Sequence, residues 1–217
     1  MDGNFWRQRW ERNEIAFHQP EANPLLVKYF GDLSLPKSSR VFVPLCGKSL
    51  DLHWLLSQGY RVAGCELSKI AVEQLFSELG VQPTITPVGE LTRHSFNNID
   101  IFVGDIFSLT ASALGKIDAI YDRGALVALP PTMRDRYAPH LIKITDRSPQ
   151  LLIAYVYDQS MQDGPPFSIG HEEIRRHYQP TYDLKLLASI DIQGGLKGKC
   201  AAAENVWLLQ KKDGRTR

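Results

Sequence analysis

Short runs of apolar, β-branched residues alternate along this chain with longer amphipathic stretches. Seven of these runs are predicted as strands, at residues 40–43, 60–65, 99–103, 117–121, 150–157, 184–190 and 206–209. Four amphipathic stretches have apolar residues at helical spacing and are predicted as helices, at residues 49–58, 68–79, 134–144 and 172–178. Because this alternation is typical of βαβ units, we expect an α/β fold on a doubly wound, mostly parallel sheet.

The last two predicted strands are joined in a different way. No helical pattern lies between them, and Gly194, Gly195 and Gly198 instead predict a flexible loop. A loop of this kind allows antiparallel pairing, whereas parallel strands need a longer crossover. We therefore expect a seven-stranded mixed sheet whose last strand is antiparallel.

The segment before the first predicted strand is rich in aromatic residues, including Trp6, Trp10 and Phe17. It is longer than a connection needs and too short for a domain. A segment of this kind can pack across the carboxyl edge of the sheet, where open α/β folds bind ligands. We expect a single domain, residues 1–217, in which residues 1–39 form an N-terminal cap over the active site and residues 40–217 form a Rossmann-like core.

Charge and cysteine content exclude several partners. The formal net charge is +1 and the 25 basic residues are scattered, whereas binding many phosphates needs a basic stripe, so no nucleic acid is expected. Cys46, Cys65 and Cys200 form no CxxC pair, so no metal site is expected. No run reaches about 18 apolar residues, so no membrane partner is expected. A cytoplasmic monomer is the default expectation.

The turn after the first predicted strand, from Val43 to Gly47, is the first candidate binding motif. Backbone N–H groups in such a turn can bind a ligand, although an ordinary connection is an alternative. Gly47-Lys48-Ser49 suggests a phosphate-binding loop, but that motif needs glycine at position 42, which is Phe42. The dinucleotide fingerprint GxGxxG is absent as well, because Gly47 is the only glycine in the turn.

Three acidic or basic positions follow other predicted strands. Glu66, after the second strand, can accept hydrogen bonds from both ribose hydroxyls of an adenosine ligand, or it can complement a helix dipole. Asp105, in Gly104-Asp105-Ile106, can accept a hydrogen bond from an adenine amino group, or it can cap a turn. Arg123 can bind a carboxylate or an anionic sulfur, or it can form a structural ion pair with Asp122 or another carboxylate.

Taken together, the motifs resemble the thiopurine S-methyltransferase family in its bacterial form, over nearly the whole chain. The matching stretches are the aromatic segment from Phe5-Trp6 to His18, PLCGKSLD at 44–51, GCELS at 64–68, DRGAL at 122–126 and DGPPF at 163–167. Their order and spacing make the resemblance specific. It implies a seven-stranded methyltransferase fold that binds S-adenosylmethionine, without a metal.

The resemblance also implies roles for single residues. Matched position by position, the cofactor contacts are Trp6, Trp10, Leu45, Glu66, Asp105, Ile106 and Arg123. Phe17 matches a substrate-facing aromatic position, and Arg123 would also stabilise charge on the substrate. Vertebrate members have a further arginine in the loop before the last strand; because residues 193–196 include none, we expect a different affinity for thiopurines.

The implied reaction is S-methylation of thiopurines and other aromatic or heterocyclic thiols, and of selenium or tellurium compounds, with S-adenosylhomocysteine as product. An aromatic thiol is partly ionised near neutral pH, so in-line attack on the methyl group needs no dedicated base. Two alternatives remain. A nicotinamide-dependent oxidoreductase also needs an acidic residue after the second strand, and a non-catalytic regulator would bind S-adenosylhomocysteine without turnover.

Overall fold

The structure is a computed structural model that describes residues 3–212; residues 1–2 of the expected cap and 213–217 of the expected core lie outside them. Within 3–212 the chain forms one sheet of nine strands: β1 Arg40–Pro44, β2 Arg61–Glu66, β3 Thr84–Val88, β4 Leu91–Phe96, β5 Ile99–Val103, β6 Ala119–Arg123, β7 Gln150–Tyr157, β8 Tyr182–Asp191 and β9 Ala202–Lys211. The α/β class and the mixed sheet are confirmed, and the expected number of seven strands is wrong.

The strand order is β3-β4-β5-β2-β1-β6-β7-β9-β8. Strands β5, β2, β1, β6 and β7 are parallel to one another. After β1 the chain adds β2 and β5 on one side, and it then returns to add β6 and β7 on the other. The order therefore reverses between β1 and β6, and open α/β sheets bind ligands in the crevice at the carboxyl ends of the strands at such a point.

The two unpredicted strands form a hairpin at one edge of the sheet. β3 and β4 pair antiparallel, and β4 pairs antiparallel with β5. β3 is largely exposed and contains Pro87, which an edge strand tolerates because its outer N–H groups need no partner. The prediction failed here because a half-exposed hairpin of threonine, proline and charged residues lacks the apolar alternation that indicates a strand.

The other edge of the sheet ends in two long strands. β9 lies between β7 and β8 and is antiparallel to both, so the expectation of an antiparallel last strand is confirmed.

Two predicted strand boundaries are wrong in a way that concerns the site. β2 continues to Glu66, which pairs with Val103, and β6 continues to Arg123, which pairs with Ile153, because ladder pairing extends into the polar residues.

Within residues 3–212 the helices are α1 Gly3–Glu11, α2 Pro24–Tyr29, α3 Leu50–Ser57, α4 Lys69–Glu78, α5 Ala111–Leu114, α6 Pro131–Ile144 and α7 His171–Tyr178. The four predicted helices correspond to α3, α4, α6 and α7. Ser49 and Ser68 cap α3 and α4 by accepting hydrogen bonds from Asp51 N and Ala71 N. None of the helices within 3–212 is both long and apolar enough to cross a membrane.

The helices cover both faces of the sheet. One face packs against α2, α3 and α4 through residues such as Leu26, Leu52 and Leu75. The opposite face packs against α6 and α7 through residues such as Tyr137 and Tyr178. The central strands are therefore buried on both sides, as expected for a doubly wound sheet, and the carboxyl edge is left for a ligand.

Candidate active site

A cavity of about 720 Å³ opens at the carboxyl edge of the sheet, where the strand order reverses. It is large enough for a nucleoside-sized ligand with a second small molecule beside it. The structure brings every predicted site residue into its lining: Trp6, Trp10, Phe17, Leu45, Glu66, Asp105, Ile106 and Arg123. Residues separated by more than a hundred positions in the sequence thus surround one space.

The turn after β1 has an unusual backbone conformation. Leu45 has a φ of 45° and Gly47 a φ of 53°, both in the left-handed region. Such a conformation is uncommon for a leucine, and it positions the backbone of the turn at the cavity. At Gly47 a Cβ atom would lie 3.2 Å from Cζ2 of Trp10. Both the backbone conformation and the close approach of this indole therefore favour glycine at position 47.

Glu66 is the last residue of β2, and its carboxylate is held by backbone N–H groups. Its Oε2 accepts a hydrogen bond from Gly47 N at 2.8 Å, and its Oε1 accepts one from Ser68 N at 2.8 Å. The residue is only 6% exposed, and burial raises the pKa of this carboxyl group, an effect that the backbone N–H donors oppose. Each oxygen has a second lone pair, so the carboxylate can also accept hydrogen bonds from a ligand.

Asp105 and Ile106 lie beyond the end of β5. Oδ1 of Asp105 accepts a hydrogen bond from Phe107 N at 3.0 Å, so this residue caps the short 3₁₀ turn Ile106–Ser108, and it is exposed. Ile106 is buried, and its carbonyl oxygen lies 2.8 Å from Nε2 of His140. Asp105 therefore caps a turn, as one of the two alternatives expected, and it also lines the cavity.

Asp122 and Arg123 point to opposite faces of the sheet, because successive side chains alternate along a strand. The fully buried Asp122 accepts hydrogen bonds from the Tyr137 hydroxyl at 2.8 Å and from Leu126 N at 3.1 Å. Burial raises the pKa of Asp122 from 3.8 to about 6, against the effect of these donors. The expected alternative of an Asp122–Arg123 ion pair is therefore wrong.

Arg123 projects into the cavity from the end of β6. In the part of the chain that the structure describes, none of the ion pairs with N–O distances up to 4.0 Å involves its guanidinium. Burial lowers its pKa, but Tyr155, Tyr121 and the more distant carboxylates Asp51 and Glu204 raise it by more, so the pKa lies above its usual value. A positive charge that is close to carboxylates, but not ion-paired with any of them, can bind an anion.

One buried acidic residue of the cavity lining is not predicted from the sequence. Asp51, in the first turn of α3, is 2% exposed and lines the cavity. Its Oδ1 accepts a hydrogen bond from Asn23 N at 2.7 Å, and its Oδ2 accepts one from the Tyr121 hydroxyl at 2.9 Å. An acidic residue at a helix N-terminus is ordinary in a sequence, so no local signal indicates that this one is buried.

The loop between β8 and β9 supplies a cation that was also missed. Lys197 lines the cavity, and its Nζ donates a hydrogen bond to the carbonyl oxygen of Pro165 at 3.0 Å. Burial lowers the pKa of this lysine, as do the nearby cations Lys199 and Arg9. Residues 193–196 include no cation, and the structure places one immediately after that stretch.

Aromatic side chains from the N-terminal segment cover one side of the cavity. Phe17 makes edge-to-face contacts with Trp6 and Trp10, with ring centroids 5.6 and 5.7 Å apart. Trp10 is buried, whereas Phe17 remains 41% exposed. The three rings form an apolar surface suited to a flat aromatic molecule.

Comparison with known proteins extends these observations. The profile of the family described as Thiopurine S-methyltransferase (TPMT) matches residues 1–212. The thiopurine S-methyltransferase of Xanthobacter autotrophicus is 53% identical over 97% of this chain and 100% of its own length. That of Gluconobacter oxydans is 50% identical over 94% of this chain and 92% of its own length.

Solved structures with lower identity share the fold. A SAM-dependent methyltransferase from Anabaena variabilis superposes with a TM-score of 0.65 at 18% identity, over 97% of this chain and 95% of its own. The 1,6-didemethyltoxoflavin-N1-methyltransferase of Burkholderia thailandensis also has a TM-score of 0.65, at 15% identity over 97% of this chain and 87% of its own. The fold is thus that of α/β methyltransferases, and the chain is an enzyme that belongs to the thiopurine S-methyltransferase family.

Proposed function

We propose that this enzyme transfers a methyl group from S-adenosylmethionine to the sulfur of thiopurines and other aromatic or heterocyclic thiols, releasing S-adenosylhomocysteine. Selenium and tellurium compounds belong to the proposed substrate range because they offer the same kind of soft nucleophile. The observation that carries the proposal is that two charged residues and three aromatic residues line the same cavity. Arg123 forms no ion pair within 3–212, and the carboxylate of Glu66 is held by a backbone N–H group. The aromatic residues are Trp6, Trp10 and Phe17.

The adenosine end of S-adenosylmethionine fits the side of the cavity formed by β2 and β5. Glu66 is fixed by Gly47 N and Ser68 N, and its remaining lone pairs can accept hydrogen bonds from the two ribose hydroxyls. The buried side chain of Ile106 offers an apolar surface for the adenine ring, and Asp105 offers an acceptor for the adenine amino group. This donor and acceptor set matches a nucleoside and requires no metal.

The methionine end fits the side formed by the turn after β1 and the end of β6. Arg123 has the charge and planar geometry that a carboxylate requires, and it forms no ion pair with another residue of 3–212. Leu45 and the indoles of Trp6 and Trp10 line the same region. We assign these residues to the cofactor, with Arg123 also stabilising negative charge on the substrate.

The substrate is assigned to the space beneath Phe17. Its ring, with that of Trp6, offers an apolar surface to a flat heterocycle. In this proposal residues 1–39 act as a cap over the site, within a single domain that works as a cytoplasmic monomer on a small-molecule thiol or selenol. Nucleic acids and membranes are not part of the proposed function.

The reaction needs alignment more than acid–base chemistry. When bound, S-adenosylmethionine supplies an electrophilic methyl group on a sulfonium sulfur. The protein must hold the attacking sulfur in line with that group and exclude water. Arg123 and Leu45 can do so from the ends of β6 and β1, and Trp6, Trp10 and Phe17 can do so from the N-terminal segment. Loss of a binding residue should therefore reduce activity through both the affinity for the cofactor and the alignment of the substrate.

Calorimetry with S-adenosylhomocysteine, followed by a radiolabelled methyl-transfer assay over thiopurines, thiophenols, selenite and tellurite, tests the proposal. We expect binding without added metal and transfer to aromatic thiols. Absence of binding would overturn the proposal. Binding without turnover of any of these compounds would favour a non-catalytic regulator, and binding of NAD in place of S-adenosylhomocysteine would favour an oxidoreductase.

A further inference from the structure

A histidine that has no role in the site described so far, His18, also lines the cavity. It follows Phe17 in a tight turn, in which its backbone N donates a hydrogen bond to the carbonyl oxygen of Ile15 at 2.8 Å. The side chain is half-buried, and its imidazole makes no hydrogen bond to any residue of 3–212. Its ring nitrogens are therefore available to a ligand in the cavity.

The imidazole of His18 shares the cavity lining with Lys48 and Arg123, which lie beyond the end of β1 and at the end of β6. It lies within electrostatic range of Lys48, which follows β1, and of Arg123, which ends β6. Glu78 is the third charged group near it, and Glu78 Oε1 forms an ion pair with Lys48 Nζ at 2.6 Å. Because His18 directly follows Phe17 and both line the cavity, a substrate placed beneath Phe17 lies near His18.

The environment keeps the imidazole neutral near physiological pH. Burial lowers the pKa of His18 from 6.5, Lys48 and Arg123 lower it further, and Glu78 opposes them. A neutral imidazole has one nitrogen that accepts a proton. Lys48 and Arg123 disfavour an imidazolium but favour a thiolate beside it, so their effects on the pair of charges created by proton transfer largely cancel.

We propose that the imidazole of His18 is a general base that accepts the proton of the thiol substrate. The thiol S–H bond breaks and its proton moves to the imidazole, while the sulfur keeps the electron pair. That pair forms the new bond to the methyl carbon, and the old carbon–sulfur bond breaks with its electrons remaining on the leaving sulfur. The imidazolium then releases the proton to water. This inference rests on the proposed S-methyltransferase function.

The role extends the range of substrates. An acidic aromatic thiol is already ionised at neutral pH and gains little from a base, so S-methylation of such a thiol proceeds by alignment alone. A less acidic thiol presents mainly the protonated form, which is a poor nucleophile. His18 therefore determines which thiols the enzyme can methylate, and its contribution grows as the acidity of the thiol falls.

The test compares His18→Gln with wild type at mildly acidic pH, where 4-nitrothiophenol is ionised and the less acidic 4-methoxythiophenol is mainly protonated. Glutamine keeps hydrogen-bonding capacity but does not take up a proton. We expect kcat/KM to fall on the order of 10- to 100-fold for the methoxy compound, at the low end of what a positioned base contributes. We expect the value for the nitro compound to change by less than about twofold, because no proton has to be removed.

His53→Gln is the matched control. His53 is half-buried on α3, its pKa is also lowered by burial and raised by Glu78, and it is not part of the cavity lining. It should leave the ratio of the two kcat/KM values unchanged. An equal loss on both thiols in His18→Gln, or no loss on either, would overturn the role as a base. Failure of the wild type to methylate 4-nitrothiophenol would instead overturn the proposed function.

Thiolate absorbance gives a readout that does not depend on turnover. 4-Methoxythiophenol is titrated into the enzyme with bound S-adenosylhomocysteine, and its ultraviolet spectrum reports the ionised fraction of the bound thiol as pH varies. We expect the bound thiol to ionise at lower pH in the wild type and in His53→Gln than in His18→Gln. Identical titration curves for the wild type and His18→Gln would contradict proton transfer to this imidazole.

Discussion

Replacing Glu66 with glutamine should weaken both the protein and its binding of S-adenosylhomocysteine. The carboxylate accepts hydrogen bonds from Gly47 N and Ser68 N, each at 2.8 Å. Glutamine has a single acceptor oxygen, so one of these N–H groups would face an NH₂ group. A buried donor without an acceptor costs about 1–3 kcal/mol. At about 2 kcal/mol, Tm should fall by roughly 4–8 °C in a chain of this size.

The loss of affinity follows from the same substitution. In the proposed complex the two ribose hydroxyls donate to a charged acceptor, and each such bond contributes about 1.5–3 kcal/mol. The neutral amide retains one weaker bond, so about 2–3 kcal/mol of binding free energy should be lost. This corresponds to a dissociation constant that is about 30- to 150-fold higher.

Calorimetry and thermal denaturation measure the two effects separately. The titrations are run at alkaline pH, where Glu66 is ionised despite the raised pKa that burial causes. Glu73→Gln is the control for loss of charge, because Glu73 lies on the exposed surface of α4, where it forms an i,i+4 ion pair with Lys69. Affinity equal to that of the wild type in Glu66→Gln would refute the assignment of this carboxylate to the ribose.

Three further substitutions test other parts of the structure. Gly47→Ala should reduce Tm and the affinity for S-adenosylhomocysteine more than Gly80→Ala, because both have positive φ but only the first places a Cβ against Trp10; equal effects would contradict this. Asp122 has a pKa of about 6 instead of 3.8, so the folded state holds its proton more tightly than the unfolded chain. The free energy of unfolding of the wild type, measured in urea, should therefore fall by about 2–3 kcal/mol relative to that of Asp122→Asn as pH rises from 3.8 to about 6, and it should stay constant at higher pH. A difference independent of pH would refute the raised pKa. Phe17→Ala removes the ring proposed to contact the substrate, and one aromatic pair contributes about 0.5–1.5 kcal/mol, so KM for aromatic thiols should rise about 2- to 10-fold, while an unchanged KM would exclude Phe17 from the substrate region.

Much of the central sheet could be predicted, because its buried parallel strands are short apolar runs between amphipathic helices. The positions of Glu66 and Arg123 at strand ends follow from that pattern, although both proved to lie within the strands. The polar ends of β2 and β6 pair with neighbouring strands. Ladder hydrogen bonds depend on the partner strand and not on the side chain, so periodicity alone underestimates strand length.

The parts that were missed depend on contacts distant in sequence. Asp51 is buried because Asn23 N and the Tyr121 hydroxyl donate to it from two other elements. Lys197 reaches the cavity because its loop is held to the carbonyl oxygen of Pro165. His18 is one of six histidines without a distinctive motif, and its place in the cavity emerges only when the N-terminal segment is packed on the sheet.

The opposite orientations of Asp122 and Arg123 have a consequence for folding. A slip of β6 by one residue against its neighbours would turn Arg123 toward Tyr137 and the apolar layer beneath α6, and would turn Asp122 toward the cavity. An arginine in that layer would be a buried charge without a counter-ion, which is among the most costly errors a core can contain. Misaligned forms of the central sheet are therefore unstable, and the alternation of Asp122 and Arg123 along β6 favours the correct strand pairing.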